Sequence, residues 1–156
     1  MMALRFLLLL SVLSLGSTLD IPTMKSLIQK EFDSLRSFDP LVSMELLAPN
    51  ATMCFDTGCA NETDQIHAAL ERFAIFSSMS VETNRLQTCY FLPEVNKAAC
   101  SMAVHGVLKS NPGCVTDGFH GVVEFEWNEE GKIVRLDNFF KDADVKKAVG
   151  DCTPPK

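Results

Sequence analysis

The chain has 156 residues and a formal charge of −6, with 14 Lys and Arg against 20 Asp and Glu. Its basic residues are scattered, which excludes the clustered Lys and Arg of a nucleic-acid-binding surface. The length suits one domain, large enough to bury a hydrophobic core without help from a metal.

The first segment stands apart from that domain. Arg5 precedes the apolar run Phe6–Leu15, and small residues follow at Gly16, Ser17 and Thr18. This order is that of a secretory signal peptide over residues 1–18, with cleavage after Gly16 or Thr18. The run is shorter than the roughly 20 apolar residues of a membrane span. Residues 19–156 are then one exported domain, with a charge of −7 once Arg5 is removed.

Met24, Leu27, Ile28, Phe32 and Leu35 form one apolar stripe and predict a helix over 23–36, with Thr23 as its cap. Asp39 and Pro40 open a second, short helix that ends before Pro49. A strand over 51–55 stops at Asp56-Thr57-Gly58. Ile66, Leu70 and Phe73, with Phe76 or Ser77, line a third helix over 64–79. Two strands, 82–92 and 97–109, flank Pro93–Asn96. A turn at Asn111-Pro112-Gly113 leads to strands over 115–127 and 132–140, joined through Asn128–Gly131. Residues 142–150 form a terminal helix. Val123, Phe125 and Trp127 alternate with Glu124 and Glu126, the period of a strand with one buried face. Helices followed by long antiparallel strands make an α+β protein. The expected architecture is a cone-shaped α+β barrel, its N-terminal helices packed on a strongly bent, mainly antiparallel sheet.

Six cysteines in an exported chain argue for disulfides. A four-residue loop at Pro93–Asn96 pairs Leu92 with Lys97, sets Cys89 opposite Cys100 and puts Asn84 opposite His105. Cys54 and Cys59 flank a short loop, which leaves Cys114 for Cys152. This is one of 15 pairings that six cysteines allow. Asn50-Ala-Thr52 and Asn61-Glu-Thr63 are sequons for glycosylation.

The element order, "LLAPNATM", "DQIHAALERF" and above all "HGVVEFEWNEEGKIVRLDNFF" resemble the nuclear transport factor 2-like superfamily, and within it the SnoaL-like branch. The resemblance covers about residues 22–150. It implies the cone fold and a pocket, while the superfamily's activities range from isomerases, dehydratases and cyclases to transport adaptors, so that fold alone implies no single function. Dimerisation through the open sheet face is common there, which makes a homodimer an expectation. Its enzymes use pocket carboxylates, histidines and tyrosines as general acids and bases. The matching candidates are Tyr90, His105, His120 and Asp137, with Asp56 at the mouth. Phe119, Val123, Phe125 and Trp127 are the expected pocket wall. His67, four residues before Glu71, reads as a solvated helix residue.

Register decides which candidates face inward. If Ser110 pairs with Cys114, His105 lies opposite Phe119 on the apolar face. If Ser110 pairs with Val115, it lies opposite His120 on the face of Glu124 and Glu126. A bulge at Gly131 pairs Trp127 with Ile133 and turns Asp137 and Arg135 inward. A plain loop pairs Trp127 with Lys132 and turns Asp137 outward. Asp137 is thus a pocket carboxylate or the partner of Arg135. No Gly-rich phosphate loop, nucleophile elbow or His pair at i, i+4 occurs, so neither a cofactor nor a metal is expected. Two functions stay open. One is a secreted pocket protein that binds a small apolar molecule or a protein partner. The other is a SnoaL-like lyase, isomerase or cyclase with His105 and Asp137 as acid and base.

Overall fold

The computed structural model describes residues 18–37, 40–81, 89–116 and 118–152. The leader up to residue 17, the Asp39 cap and the register of Asn84 lie outside the described residues.

The first helix, α1 (Ile21–Ser34), starts two residues earlier than its apolar stripe suggests. Asp20 rather than Thr23 is the cap: its Oδ1 accepts a hydrogen bond from Thr23 N at 2.8 Å. Pro22 then falls in the first turn, where a missing N–H is harmless. Met24, Ile28, Glu31 and Phe32 form the buried face. A short α2 (Pro40–Glu45) and the strands β1 (Leu47–Phe55) and β2 (Gly58–Ala60) follow. Next comes α3 (Thr63–Glu71), which ends well before Met79. Its sequel is one 3-10 turn, Arg72–Ile75, and then strand β3 (Phe76–Val81). Strand pairing with β5 overrides the helical spacing there: Phe76, Met79 and Val81 are buried while Ser77 and Ser80 are exposed.

The remaining strands are β4 (Cys89–Leu92), β5 (Lys97–Leu108), β6 (Asn111–Val115), β7 (Phe119–Trp127) and β8 (Ile133–Phe140), and α4 (Asp142–Asp151) closes the chain. Asn111-Pro112-Gly113 belongs to β6, and the turn sits one step earlier, at Lys109–Ser110. The sheet runs β2-β1-β8-β7-β5-β3, with β4 and β6 also paired to β5. Its pairs are antiparallel except β1 with β8, which is parallel. The core lies between the helices and the face of the sheet that carries Met102, Val104, Val123, Phe125 and Leu136.

Two registers decide which side chains face inward. Between β5 and β7, Val104 pairs with Phe119 and Ala103 with His120, so His105 falls opposite Gly118, as neither reading of the 111–113 turn proposed. Between β7 and β8, Gly131 takes φ +75° and Asn128 Oδ1 accepts hydrogen bonds from Glu130 N and Lys132 N. Trp127 does pair with Ile133, but Glu126 pairs with Arg135, which leaves Val134 unmatched. That extra residue is a β-bulge and reverses the facing of everything after it.

Disulfides join Cys54 to Cys59, Cys89 to Cys100 and Cys114 to Cys152. The first closes the β1–β2 hairpin, the second ties β4 to β5, and the third fastens the end of α4 to β6. Asn111 Nδ2 adds a hydrogen bond to Cys152 O at 2.9 Å.

Two stability measurements follow from this packing. The Phe76 ring lies across Gly106, where a Cβ would need its space. Gly106→Ala is expected to lower stability to urea by about 1–3 kcal/mol, whereas Gly150→Ala, in helix α4 with nothing within 4 Å, is expected to be neutral or mildly stabilising. Replacing Cys114 and Cys152 together by Ser opens a loop between residues 38 apart. The expected loss is about 2–5 kcal/mol, with α4 the first element to lose amide-exchange protection.

Candidate functional site

Period two sorts the sheet into two faces. On β5, Met102 and Val104 point toward the helices, and Ala103 and His105 away from them. The β7 partners follow suit: Phe119, Val123 and Phe125 point in, His120, Val122 and Glu124 out. Because of the bulge at Val134, Leu136, Asn138 and Phe140 point in from β8, while Arg135, Asp137 and Phe139 point out.

The inward side chains leave a cavity of about 260 Å³. The sheet contributes Met53, Met79, Met102, Val104, Val123 and Leu136 to its wall. Helix α1 contributes Glu31 and Phe32, α3 contributes Ala69 and Leu70, and α4 contributes Val145. Phe119 and Phe140 meet edge to face at 5.5 Å, and Phe55 and Phe73 lie 5.9 Å apart. Exposed residues mark the mouth: Asp56 and Thr57 in the β1–β2 turn, and Arg72 and Ile75 beyond α3.

One group in this wall is out of character. Glu31 is 7% exposed, and its Oε2 has no hydrogen-bond partner among the described residues. Burial alone pushes its carboxyl up to about 7, because a low-dielectric site disfavours the charged form. Such a group is half-ionised near neutral pH and can give or take a proton there. Helix geometry puts it in the cavity: Glu31 lies one turn from both Ile28 and Leu35 and next to Phe32, on the apolar stripe itself. The signal was therefore present in the sequence, as an acid inside the stripe, although it was not among the residues singled out there.

The residues that were singled out lie elsewhere. Phe119, Val123 and Phe125 line the cavity, but Trp127 does not; it is buried below it, stacked on Phe125 at 5.4 Å. Asp56 lies at the mouth. His105 faces away from the cavity, with Nδ1 3.2 Å from Thr116 O and its ring against Gly118. Asp137 also faces away. Arg135 Nε donates to both its oxygens, at 2.8 and 3.1 Å, and this bond, with the nearby charge, holds the guanidinium more firmly protonated. Lys97 and Glu126 form a second ion pair beside it at 2.9 Å. Tyr90 is 79% exposed on the same outer face. His120 is exposed there too, and His67 lies 3.7 Å from Glu71 on α3.

These side chains do not converge. Tyr90 and Asp137 share a row across the sheet, through Ala99 and Glu124, about 14 Å long at the usual strand spacing. His105 lies six residues up β5 from that row, about 20 Å away. A ligand in the cone touches none of the three. The bulge at Val134 is the reason for Asp137, and the odd-numbered position of His105 on β5 is the reason for the histidine. Among the described residues no three His, Cys, Asp or Glu side chains gather as metal ligands.

The raised carboxyl gives a pH signature. The unfolded chain binds the Glu31 proton with an ordinary value of 4.5, the folded chain with about 7. Stability is therefore highest below pH 4.5 as far as Glu31 is concerned, and it is lost as pH rises toward 7, by about 3 kcal/mol in all. Glu31→Gln is expected to remove that part of the pH dependence, measured as the difference between variant and parent in urea denaturation at pH 5 and pH 8.

No protein-family model matches the sequence. No curated protein matches it. Solved structures do resemble it. SalBIII, described as an epoxide hydrolase/cyclase-like enzyme in pyran ring formation in polyether salinomycin, is 16% identical with a TM-score of 0.65, covering 80% of this chain and 95% of its own. AusH from Aspergillus nidulans is 10% identical with a TM-score of 0.67, covering 79% and 86%. A nuclear transport factor 2-like protein from Anabaena variabilis is 10% identical with a TM-score of 0.61, covering 78% and 88%. At these identities the likeness is one of backbone, and it answers to the bent sheet, the helices over one face and the cavity between them: the chain has the cone-shaped nuclear transport factor 2-like fold, with proteins described as polyketide cyclases among its structural neighbours.

Proposed function

We propose that the protein is a secreted binding module that holds a small apolar molecule in the cone. The observation that carries this reading is the cavity itself, walled by apolar side chains and closed to all but a few polar groups. Its 260 Å³ exceeds the roughly 150 Å³ that accommodates benzene and falls just short of the roughly 300 Å³ at which drug-sized sites begin. The fitting occupant is a molecule of about one ring and a short chain, or two fused rings. Three disulfides support an oxidising, extracellular setting, and no described helix is long and apolar enough to cross a membrane. Asn50 and Asn61 are exposed, as glycan attachment requires. Support for a homodimer comes from Tyr90, Val122 and Phe139, exposed together on the outer sheet face.

A second reading is a lyase, isomerase or cyclase. What supports it is Glu31, a proton-exchanging group inside an apolar cavity, together with a neighbour described as cyclase-like. The acid and base expected at His105 and Asp137 give it no support, since both face away from the cavity. In this reading Glu31→Gln abolishes turnover while leaving ligand uptake in place.

The binding reading is tested by calorimetric titration with 4-phenylbutan-1-ol, a neutral probe of the right size. Saturable one-to-one binding is expected. Val104→Phe, which fills the cavity from β5, is expected to weaken it at least tenfold while the circular dichroism spectrum stays unchanged. Binding that ignores Val104→Phe, or no binding at all, sinks the reading.

A further inference from the structure

We infer that the cavity is built for an organic cation, a small apolar amine whose ammonium group pairs with Glu31 while phenylalanine rings surround the rest. The inference rests on the binding reading above and adds the chemical class of the ligand. Three observations carry it. The first is Glu31, buried, lining the cavity and with Oε2 unpartnered among the described residues. A carboxyl in that position is costly unless a partner arrives, and the partner that gains most from it is a positive charge. The second is the wall. Seven of the nine described phenylalanines line this one cavity, and the face of an aromatic ring attracts a cation that has left water. The third is charge. Among the described residues, the titratable groups of the cavity besides Glu31 are Asp56 and Arg72, both at the exposed mouth, so none of the described wall residues is a cation that competes for Glu31. The chain as a whole carries −6, which favours the approach of a cation and opposes that of an anion.

The alternatives make opposite demands. A fatty acid would bring a second negative charge to a site without a buried cation among the described residues. A neutral carbonyl or alcohol could accept a hydrogen bond from protonated Glu31, and its binding would then weaken above pH 7. An ammonium needs Glu31 ionised, so its binding displaces the Glu31 proton and weakens below pH 7, by roughly tenfold per pH unit.

Three probes with one skeleton separate these cases: 4-phenylbutan-1-amine, 4-phenylbutan-1-ol and 4-phenylbutanoate, titrated calorimetrically at pH 5.5 and pH 8. The expected result at pH 8 is an amine bound at least tenfold tighter than the alcohol, a carboxylate bound weakest, and an amine affinity that falls at least tenfold at pH 5.5. Glu31→Gln is expected to erase the amine's advantage while the alcohol still binds. If that variant does not fold, the pH dependence of the parent protein decides. Equal affinity for amine and alcohol, or tighter amine binding at pH 5.5, overturns the inference and leaves the binding reading standing. Failure of all three probes overturns both.

Discussion

Everything in this molecule depends on the alternation of side chains along β5. The 12-residue strand pairs with β3, β4, β6 and β7, so its period of two is imposed on most of the sheet. Its even positions are buried against the helices and its odd positions form the outer face. Once that parity is set, the cavity wall on β7 and the charge pairs outside it are consequences. Each long strand then carries two kinds of chemistry, one residue apart.

That is also why the fold was easier to read than the site. The apolar stripe of α1, the strand-turn-strand around Asn128–Gly131 and the alternation of Val123, Phe125 and Trp127 are patterns of several residues, and each survives an error of one. A facing does not survive it. Asp137 was open between the pocket and Arg135, the bulge at Gly131 turning it inward and a plain loop outward, and the pairing of Trp127 with Ile133 that goes with the bulge is indeed found. One more unmatched residue, Val134, turns Asp137 out to Arg135. His105 hung on the same kind of count at the 111–113 turn, where β6 holds residues expected in the loop. The third helix failed differently: Phe76 and Met79 suit a helix or a strand about equally, and partnership with β5 chose the strand. Glu31 needed no register at all. A glutamate among Ile28, Phe32 and Leu35 is an exception to the stripe, whereas Tyr90, His105, His120 and Asp137 all lie on strands.

The cavity and the outer face divide the charge of the protein in a telling way. Outside, acids and bases neutralise one another across neighbouring strands: Glu126 with Lys97, Asp137 with Arg135. Inside, one acid stands without a counterpart among the described residues. A solvent-exposed pair such as Lys97–Glu126 contributes little, whereas a lone buried acid lowers stability at neutral pH. A chain that retains such a residue at the wall of an empty space carries a standing penalty that a complementary occupant relieves.

The shortness of β2 has a consequence for how these molecules can meet. A sheet border with free N–H and C=O groups is a template on which another chain can add a strand, the route to fibrils and swapped assemblies. Here one border is only Gly58–Ala60, and it is turned back on β1 by the Cys54–Cys59 bridge. Such a border offers no long straight run of unpaired backbone. Growth by strand addition is discouraged at this border, so the sheet can keep an open outer face without polymerising through it.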